Sequence, residues 1–164
     1  MARHVIQVPT TTIVMTGAEF MIYAKRYFEA AEALRRLPSR TSFDPIPYHL
    51  LCQSLELHLK SFIWLIDRLP RNNFKSQYGH DIVELWCDAK DRKIKKYCAP
   101  TARRDEVIKL VGPYYKNRQF AYLDLPMAFK GMRKLRENKL VIPTLYKLCK
   151  QLGKSLRRPM LAAN

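Results

Sequence analysis

The chain has 164 residues, a length that suits one domain and is too short for two full ones. Hydrophobic residues make up 48% and charged residues 27%, a globular composition that excludes a disordered or collagen-like chain. The 30 Lys and Arg residues against 14 Asp and Glu residues give a net charge of +16, which favours a polyanionic partner.

Membrane, secreted and metal-binding classes are not indicated. The longest purely apolar run, Phe62 to Ile66, is far shorter than the roughly 20 residues of a membrane-spanning helix. Residues 1–10 lack the apolar segment of a signal peptide, so we expect a cytoplasmic protein without a membrane partner. Four scattered cysteines form no C-x-x-C pair. His49 and Cys52 lack two further ligands at zinc spacing, and we expect no metal and no cofactor.

The first predicted elements are an arm and a helix. Residues 4–15 are rich in β-branched side chains and contain Pro9. This pattern predicts an extended N-terminal arm over residues 1–15, or at most one short edge strand. Thr16 and Glu19 have the spacing of a capping box, and Pro38 follows the end of the helix that they begin. One face of that helix is apolar and comprises Phe20, Ala24, Tyr27, Ala31 and Leu34.

The second predicted helix is the most apolar one. Asp44 can cap it and Pro45 suits its first position, and the pattern continues over residues 46–69 until Pro70. Because the helix is apolar on more than one side, we expect it at the centre of the fold. Its apolar stripe comprises Leu51, Leu55, His58 or Leu59, Phe62 and Ile66.

Three further helices are predicted after a loop over residues 71–80. Asp81 and Glu84 repeat the capping spacing before an amphipathic helix. The next helix spans 102–111 and ends at Gly112 and Pro113, residues 114–126 are irregular, and the last helix spans 144–156. The chain therefore predicts an all-α, up-and-down bundle of four to five helices: arm 1–15, a single domain 16–158 and a tail 159–164.

Positive charge is concentrated in the second half of the chain. Residues 81–164 carry 20 basic and 8 acidic side chains, against 10 and 6 in residues 1–80. Five cations lie opposite the apolar stripe of the last helix, and we call them the basic ridge. Its members are Lys147, Lys150, Lys154, Arg157 and Arg158. We expect the ridge to contact phosphates; the alternatives are a solvated face and a surface for an acidic protein or membrane.

Residues 114–122 alternate aromatic and basic side chains. Such a strip can stack on unpaired bases while its cations hold phosphates. We therefore predict that Arg118, Phe120 and Tyr122 touch exposed bases. The alternative is a loop whose aromatic rings pack on the bundle.

The sequence contains no P-loop, no G-x-G-x-x-G and no G-x-S-x-G, so no common catalytic motif is present. His80 follows Gly79 at a turn, and Glu56 and Lys60 are spaced i, i+4 on the second helix. We predict that Glu56, Lys60, His80 and Asp81 form a polar junction, structural or facing a ligand.

These residues also carry a family resemblance. The second helix contains Leu55-Glu56-Leu57-His58-Leu59-Lys60-Ser61, and the turn contains Tyr78-Gly79-His80-Asp81-Ile82. The pattern resembles the Glu-x-x-x-Lys helix and Gly-His-Asp turn of HEPN-like proteins and covers about residues 44–122. The resemblance implies an up-and-down helical bundle, frequently a homodimer, found in many defence and toxin–antitoxin systems.

Active members of that family are metal-independent ribonucleases in which four to six residues separate an Arg from a following His. No His follows His80 here, and at that interval before His80 the chain has Lys75. We therefore expect a non-catalytic HEPN-like protein that binds RNA or another nucleic acid through the C-terminal basic face. The alternatives are an interaction module, as a homodimer or half of a toxin–antitoxin or nucleotidyltransferase-type pair, and a ribonuclease with a rearranged site around Lys75 and His80.

Overall fold

The computed structural model describes residues 16–38, 43–69, 71–122 and 132–163, with the side chains at 71, 72 and 75 excepted. The predicted arm over residues 1–15 lies outside the described residues. The helices are α1 Gly17–Leu34, α2 Ile46–Asp67, α3 Arg71–Gln77, α4 Ile82–Asp91, a 3₁₀ turn Ile94–Lys96, α5 Ala102–Lys116, α6 Arg133–Glu137 and α7 Val141–Ala163. The predicted all-α bundle is confirmed.

Helix α2 is the centre of the bundle, as its apolar composition predicts. It packs against α1, α4, α5 and α7, and Leu55, Leu59 and Phe62 are fully buried. Ile66 differs from the prediction, because the last turn of α2 leaves the core and this side chain is 48% exposed.

The predicted capping residues begin two helices. The Thr16 backbone N–H donates to the Glu19 carboxylate at 2.8 Å at the start of α1. The Asp81 carboxylate accepts from the backbone N–H groups of Val83 and Glu84 at 3.1 and 3.0 Å. Each bond satisfies a backbone donor that the first turn of a helix leaves without an intrahelical partner.

The predicted ends of two helices are wrong. Helix α5 continues through Gly112 and Pro113 to Lys116, because the buried Tyr115 anchors its last turn to the core. The last helix is longer at both ends than predicted and continues through Pro159. Met160 is buried, so residues 159–163, predicted as a tail, are helical.

Residues 71–77 form the short helix α3 and not the predicted loop. Phe74 explains this helix, because its ring is buried and contacts the Phe20 ring edge-on at a centroid distance of 5.4 Å. Lys75 therefore lies on a helix and not in a loop.

None of the helices in the described part of the chain is long and apolar enough to cross a membrane.

Helices α4 and α5 approach each other closely at Gly112. A Cβ atom at this position would lie 2.4 Å from Val83 Cγ2. Overpacking of this kind costs about 1–3 kcal/mol, which exceeds the gain of about 1 kcal/mol from the better helix propensity of Ala. We expect Gly112→Ala to lower the free energy of unfolding in urea denaturation. The double variant Gly112→Ala/Val83→Ala should recover part of that loss, and a Gly112→Ala protein as stable as the wild type would contradict the contact.

Candidate functional site

A buried carboxylate, Glu56, is the centre of the predicted polar junction. It is 2% exposed on the central helix α2. Its Oε1 accepts from Lys60 Nζ at 2.5 Å, while Oε2 lies 3.0 Å from His80 Nδ1 and accepts from the Tyr115 hydroxyl at 2.5 Å. The structure thus brings Glu56, Lys60 and His80 together and adds Tyr115 from α5.

The junction also holds the turn between α3 and α4. Lys60 Nζ donates a second hydrogen bond to the carbonyl of Gly79 at 2.8 Å. Gly79 has a φ of 52°, a left-handed backbone conformation that glycine adopts without strain. Asp81, the fourth predicted member, caps α4 and pairs with Lys116 Nζ at 2.7 Å. These contacts fix His80 between α2 and α5.

Glu56 is ionised at neutral pH. Burial by itself raises the pKa of its carboxyl, but hydrogen bonds from His80, Lys60 and Tyr115 and the Lys60 charge outweigh burial and hold that pKa below its usual range. Burial and the Glu56 charge raise the pKa of the Tyr115 hydroxyl, which therefore stays protonated and can donate. A buried ion pair seldom adds net stability over an apolar pair, so its presence marks a candidate functional site.

A cleft with a volume of about 260 Å³ lies beside the junction. Its lining residues come from α2, the turn before α4, and the end of α5 with the residues that follow it. They are His49, Gln53, His80, Tyr115, Arg118, Ala121 and Tyr122. The cleft therefore unites His80 of the predicted junction with Arg118 and Tyr122 of the predicted aromatic–basic strip.

His49 brings a second imidazole to this cleft. Burial lowers the pKa of His49, and the neighbouring His80 imidazole lowers it further. Its Nδ1 is buried without a hydrogen-bond partner among the described residues. The cleft thus contains a neutral imidazole with unused hydrogen-bonding capacity.

Phe120 does not have its predicted role. It is 4% exposed, and its ring stacks on Tyr48 and Tyr114 at centroid distances of 5.6 and 6.0 Å. A side chain packed in this way cannot stack on a base. Tyr122 is 72% exposed and Arg118 is also exposed, so two of the three strip residues remain accessible.

The basic ridge is a second candidate surface. All five of its side chains are exposed on α7, opposite buried residues that include Leu148 and Leu152. Lys150 Nζ lies 5.9 Å from the centre of the Tyr146 ring. In residues 16–38, 43–69, 71–122 and 132–163, no carboxylate pairs with any ridge side chain. The ridge does not line the cleft.

No metal centre is found among the described residues, since no three His, Cys, Asp or Glu side chains are grouped to hold an ion there. Cys52, Cys98 and Cys149 are buried free thiols, and Cys87 is an exposed one.

Comparison of the chain with protein-family models, curated proteins and solved structures finds no match. The resemblance to HEPN-like proteins therefore rests on the motif residues alone.

The sequence contained a signal for the missed cleft residues. His49, Gln53, Glu56 and Lys60 are spaced i, i+4, i+7 and i+11, which places them on one face of a helix. A polar stripe on the most apolar helix marks a buried polar site. Tyr115 carried no such signal, because its position depends on the unexpected continuation of α5.

Glu56→Gln tests the junction. Removing one partner of a buried ion pair leaves the other charge unpaired and costs about 3–5 kcal/mol. Because the folded-state pKa of Glu56 lies below its ordinary value of 4.5, its contribution is present above that value and is lost as the pH falls through the folded-state pKa. We expect urea denaturation to show a large loss of stability in Glu56→Gln at pH 7 and a smaller one at pH 3.5. An equal loss at both pH values would contradict an ionised Glu56.

Proposed function

We propose that this chain is a non-catalytic HEPN-like protein that binds single-stranded RNA through the basic ridge. The observation that carries the proposal is the row of five exposed cations on α7, none of which pairs with a carboxylate of the described residues. From Lys147 to Arg158 the row spans about 16 Å along the helix axis.

A polyanion suits this row for an electrostatic reason. Aligned cations repel one another, and the chain as a whole carries +16, so a bound polyphosphate relieves repulsion while it releases its own counterions. The HEPN-like motif favours RNA among the polyanions. Arg118 and Tyr122 add an exposed cation and ring at the cleft, a pair that suits an unpaired base.

Neutralising part of the ridge tests the proposal. Lys147→Gln/Lys154→Gln/Arg158→Gln removes three phosphate contacts, which should weaken binding of any single-stranded RNA and reduce the slope of log K against log salt by about 2. Fluorescence anisotropy of a labelled RNA at about 50 and about 200 mM salt measures both effects. The matched control Lys93→Gln/Lys95→Gln/Lys96→Gln removes the same charge from exposed positions at the 3₁₀ turn.

The two triple variants separate a local surface from a general charge effect. Equal losses in both variants would show that total charge and not the ridge attracts RNA. Absence of binding by the wild type at the lower salt would overturn the proposal, and the charge would then serve to keep the protein dispersed. A protein that co-elutes without nucleic acid would instead support the interaction module.

A second candidate function, a ribonuclease with a rearranged site, is favoured by the cleft. Two imidazoles and a guanidinium, from His49, His80 and Arg118, line it together. Attack of a ribose 2′-hydroxyl on the adjacent phosphate needs a base that takes the hydroxyl proton, an acid that protonates the departing 5′-oxygen and a cation for the phosphate. The cleft contains these three kinds of group. Because both imidazoles line the same cleft, this candidate site centres on His49 and His80. The side chain of Lys75, which the sequence pattern places with His80, lies outside the described part of the structure.

His80→Asn distinguishes catalysis from a structural role. The amide of Asn can donate to Glu56 in place of Nδ1–H, but it cannot transfer a proton at neutral pH. For a ribonuclease we expect the variant to retain the wild-type melting temperature and to lose cleavage of a labelled RNA. Cleavage equal to that of the wild type would show that His80 only holds the junction. No cleavage by the wild-type protein would remove this second candidate and leave RNA binding untouched.

A further inference from the structure

A groove lies between α1 and α7, apart from the cleft. Its volume is about 510 Å³, within the range of about 300–1,000 Å³ that is typical of small-molecule sites. None of its lining residues also lines the cleft, so the groove is a separate site.

The walls of the groove are apolar and partly open to solvent. Met21, Ile22 and Phe28 come from α1, and Met160 and Leu161 come from α7. Ile22 is 59% exposed and Leu161 is 70% exposed, which is unusual for adjoining large apolar side chains in a monomer. The two methionine side chains are unbranched and can adapt to the shape of an apolar ligand.

The rim of the groove is cationic. Lys25, Lys150, Lys154 and Arg157 line it, and no carboxylate does so in the described part of the chain. Lys25 pairs with Glu29 at 3.4 Å on the solvent side of α1, whereas Lys154 and Arg157 form no ion pair with any described residue. An anionic group at the rim would therefore meet unpaired charges of opposite sign.

The floor of the groove is uncharged. His58 is 1% exposed, and its Nδ1 lies 2.9 Å from the Ser54 carbonyl, to which it donates as the neutral tautomer. Burial lowers the pKa of His58 to about 4, so the ring carries no charge at neutral pH. Gly153 lies above this ring, and a Cβ there would be 3.1 Å from His58 Nε2. A side chain at Gly153 would press on the His58 ring, so glycine at this position lets α7 pack directly against the floor.

We propose that this groove binds a single-chain amphiphile with an anionic head group, of which a medium-chain fatty acid is the simplest example. The alkyl chain lies between the apolar walls, and the carboxylate contacts the rim cations. A groove of this volume suits one such molecule, whereas a folded protein partner needs about 800 Å² of surface on each side.

The proposed ligand would also compete with RNA. Lys150, Lys154 and Arg157 belong both to the groove rim and to the basic ridge, so the carboxylate and the RNA phosphates require the same charges. This competition rests on the proposed RNA binding, but binding of the amphiphile does not. By linkage, each ligand then weakens the other by the same factor.

Isothermal titration calorimetry with octanoate, decanoate and dodecanoate below their micelle concentrations tests the groove. Each buried methylene strengthens binding about fourfold, so two methylenes give about fifteenfold at full burial. Dodecyltrimethylammonium has the same chain with a positive head and should not bind. Affinity independent of chain length, equal binding of the cationic amphiphile, or binding only to anionic vesicles would each overturn the proposal.

Variants then locate the ligand. Ile22→Asp and Leu161→Asp each place a negative charge on an exposed wall position of the groove, so each should abolish dodecanoate binding. Leu161→Asp keeps the test valid if Ile22→Asp fails to fold. The matched control Lys147→Gln/Arg158→Gln neutralises ridge cations outside the groove; it should weaken RNA binding and retain dodecanoate binding within about twofold of the wild type. A folded Ile22→Asp protein that binds dodecanoate normally would overturn the groove assignment.

Discussion

The ionised Glu56 carboxylate inside the most apolar helix is the constraint on which the arrangement of this bundle depends. A charge that is 2% exposed is tolerated only if donors surround it, and the donors come from three places: α2 itself, the turn before α4 and the last turn of α5. Satisfying one carboxylate therefore fixes the relative positions of these elements. The cleft follows from this requirement, because His80 and Tyr115 both bind Glu56 and line the cleft.

Helix α2 presents a different surface on each side. His49 and His58 are nine residues apart, which is about half a turn beyond two full turns of an α-helix, so their imidazoles point to opposite faces. His49 lines the polar cleft, and His58 lies beneath the apolar groove. Helix α2 thus separates the polar cleft from the apolar groove. Because the two sites share no lining residue, a ligand in one can bind without contacting the other.

Apolar periodicity and capping residues predicted the helices in which buried side chains recur at helical spacing. The contact between Glu56 and His80 was predicted from the i, i+4 spacing on the second helix and from the turn at Gly79. The end of α5 was missed because Gly112 and Pro113 normally terminate helices, while the bonds of Tyr115 to α2 come from residues 59 or more positions away in the chain. The burial of Phe120 was missed for a related reason. Its ring stacks on Tyr48, which is far from it in the chain, and no local sequence pattern encodes such a contact. The groove depends on how α1 packs beside α7, which a single sequence does not encode locally.

The proline inside α5 has a consequence for motion. Pro113 has no N–H, so the carbonyl of Lys109, four residues earlier, lacks its usual helical donor. The last turn of α5 is therefore attached to the rest of that helix by fewer backbone bonds. The contacts of the Tyr115 hydroxyl with Glu56 and Gln53 and the pair of Lys116 with Asp81 also hold this turn. The position of the last turn of α5 therefore depends on the ionised Glu56 carboxylate of α2. The wall of the cleft that carries Tyr115 and Arg118 is thus joined to the rest of the bundle by side-chain contacts to α2 and to the start of α4, in place of a complete set of backbone bonds within its own helix.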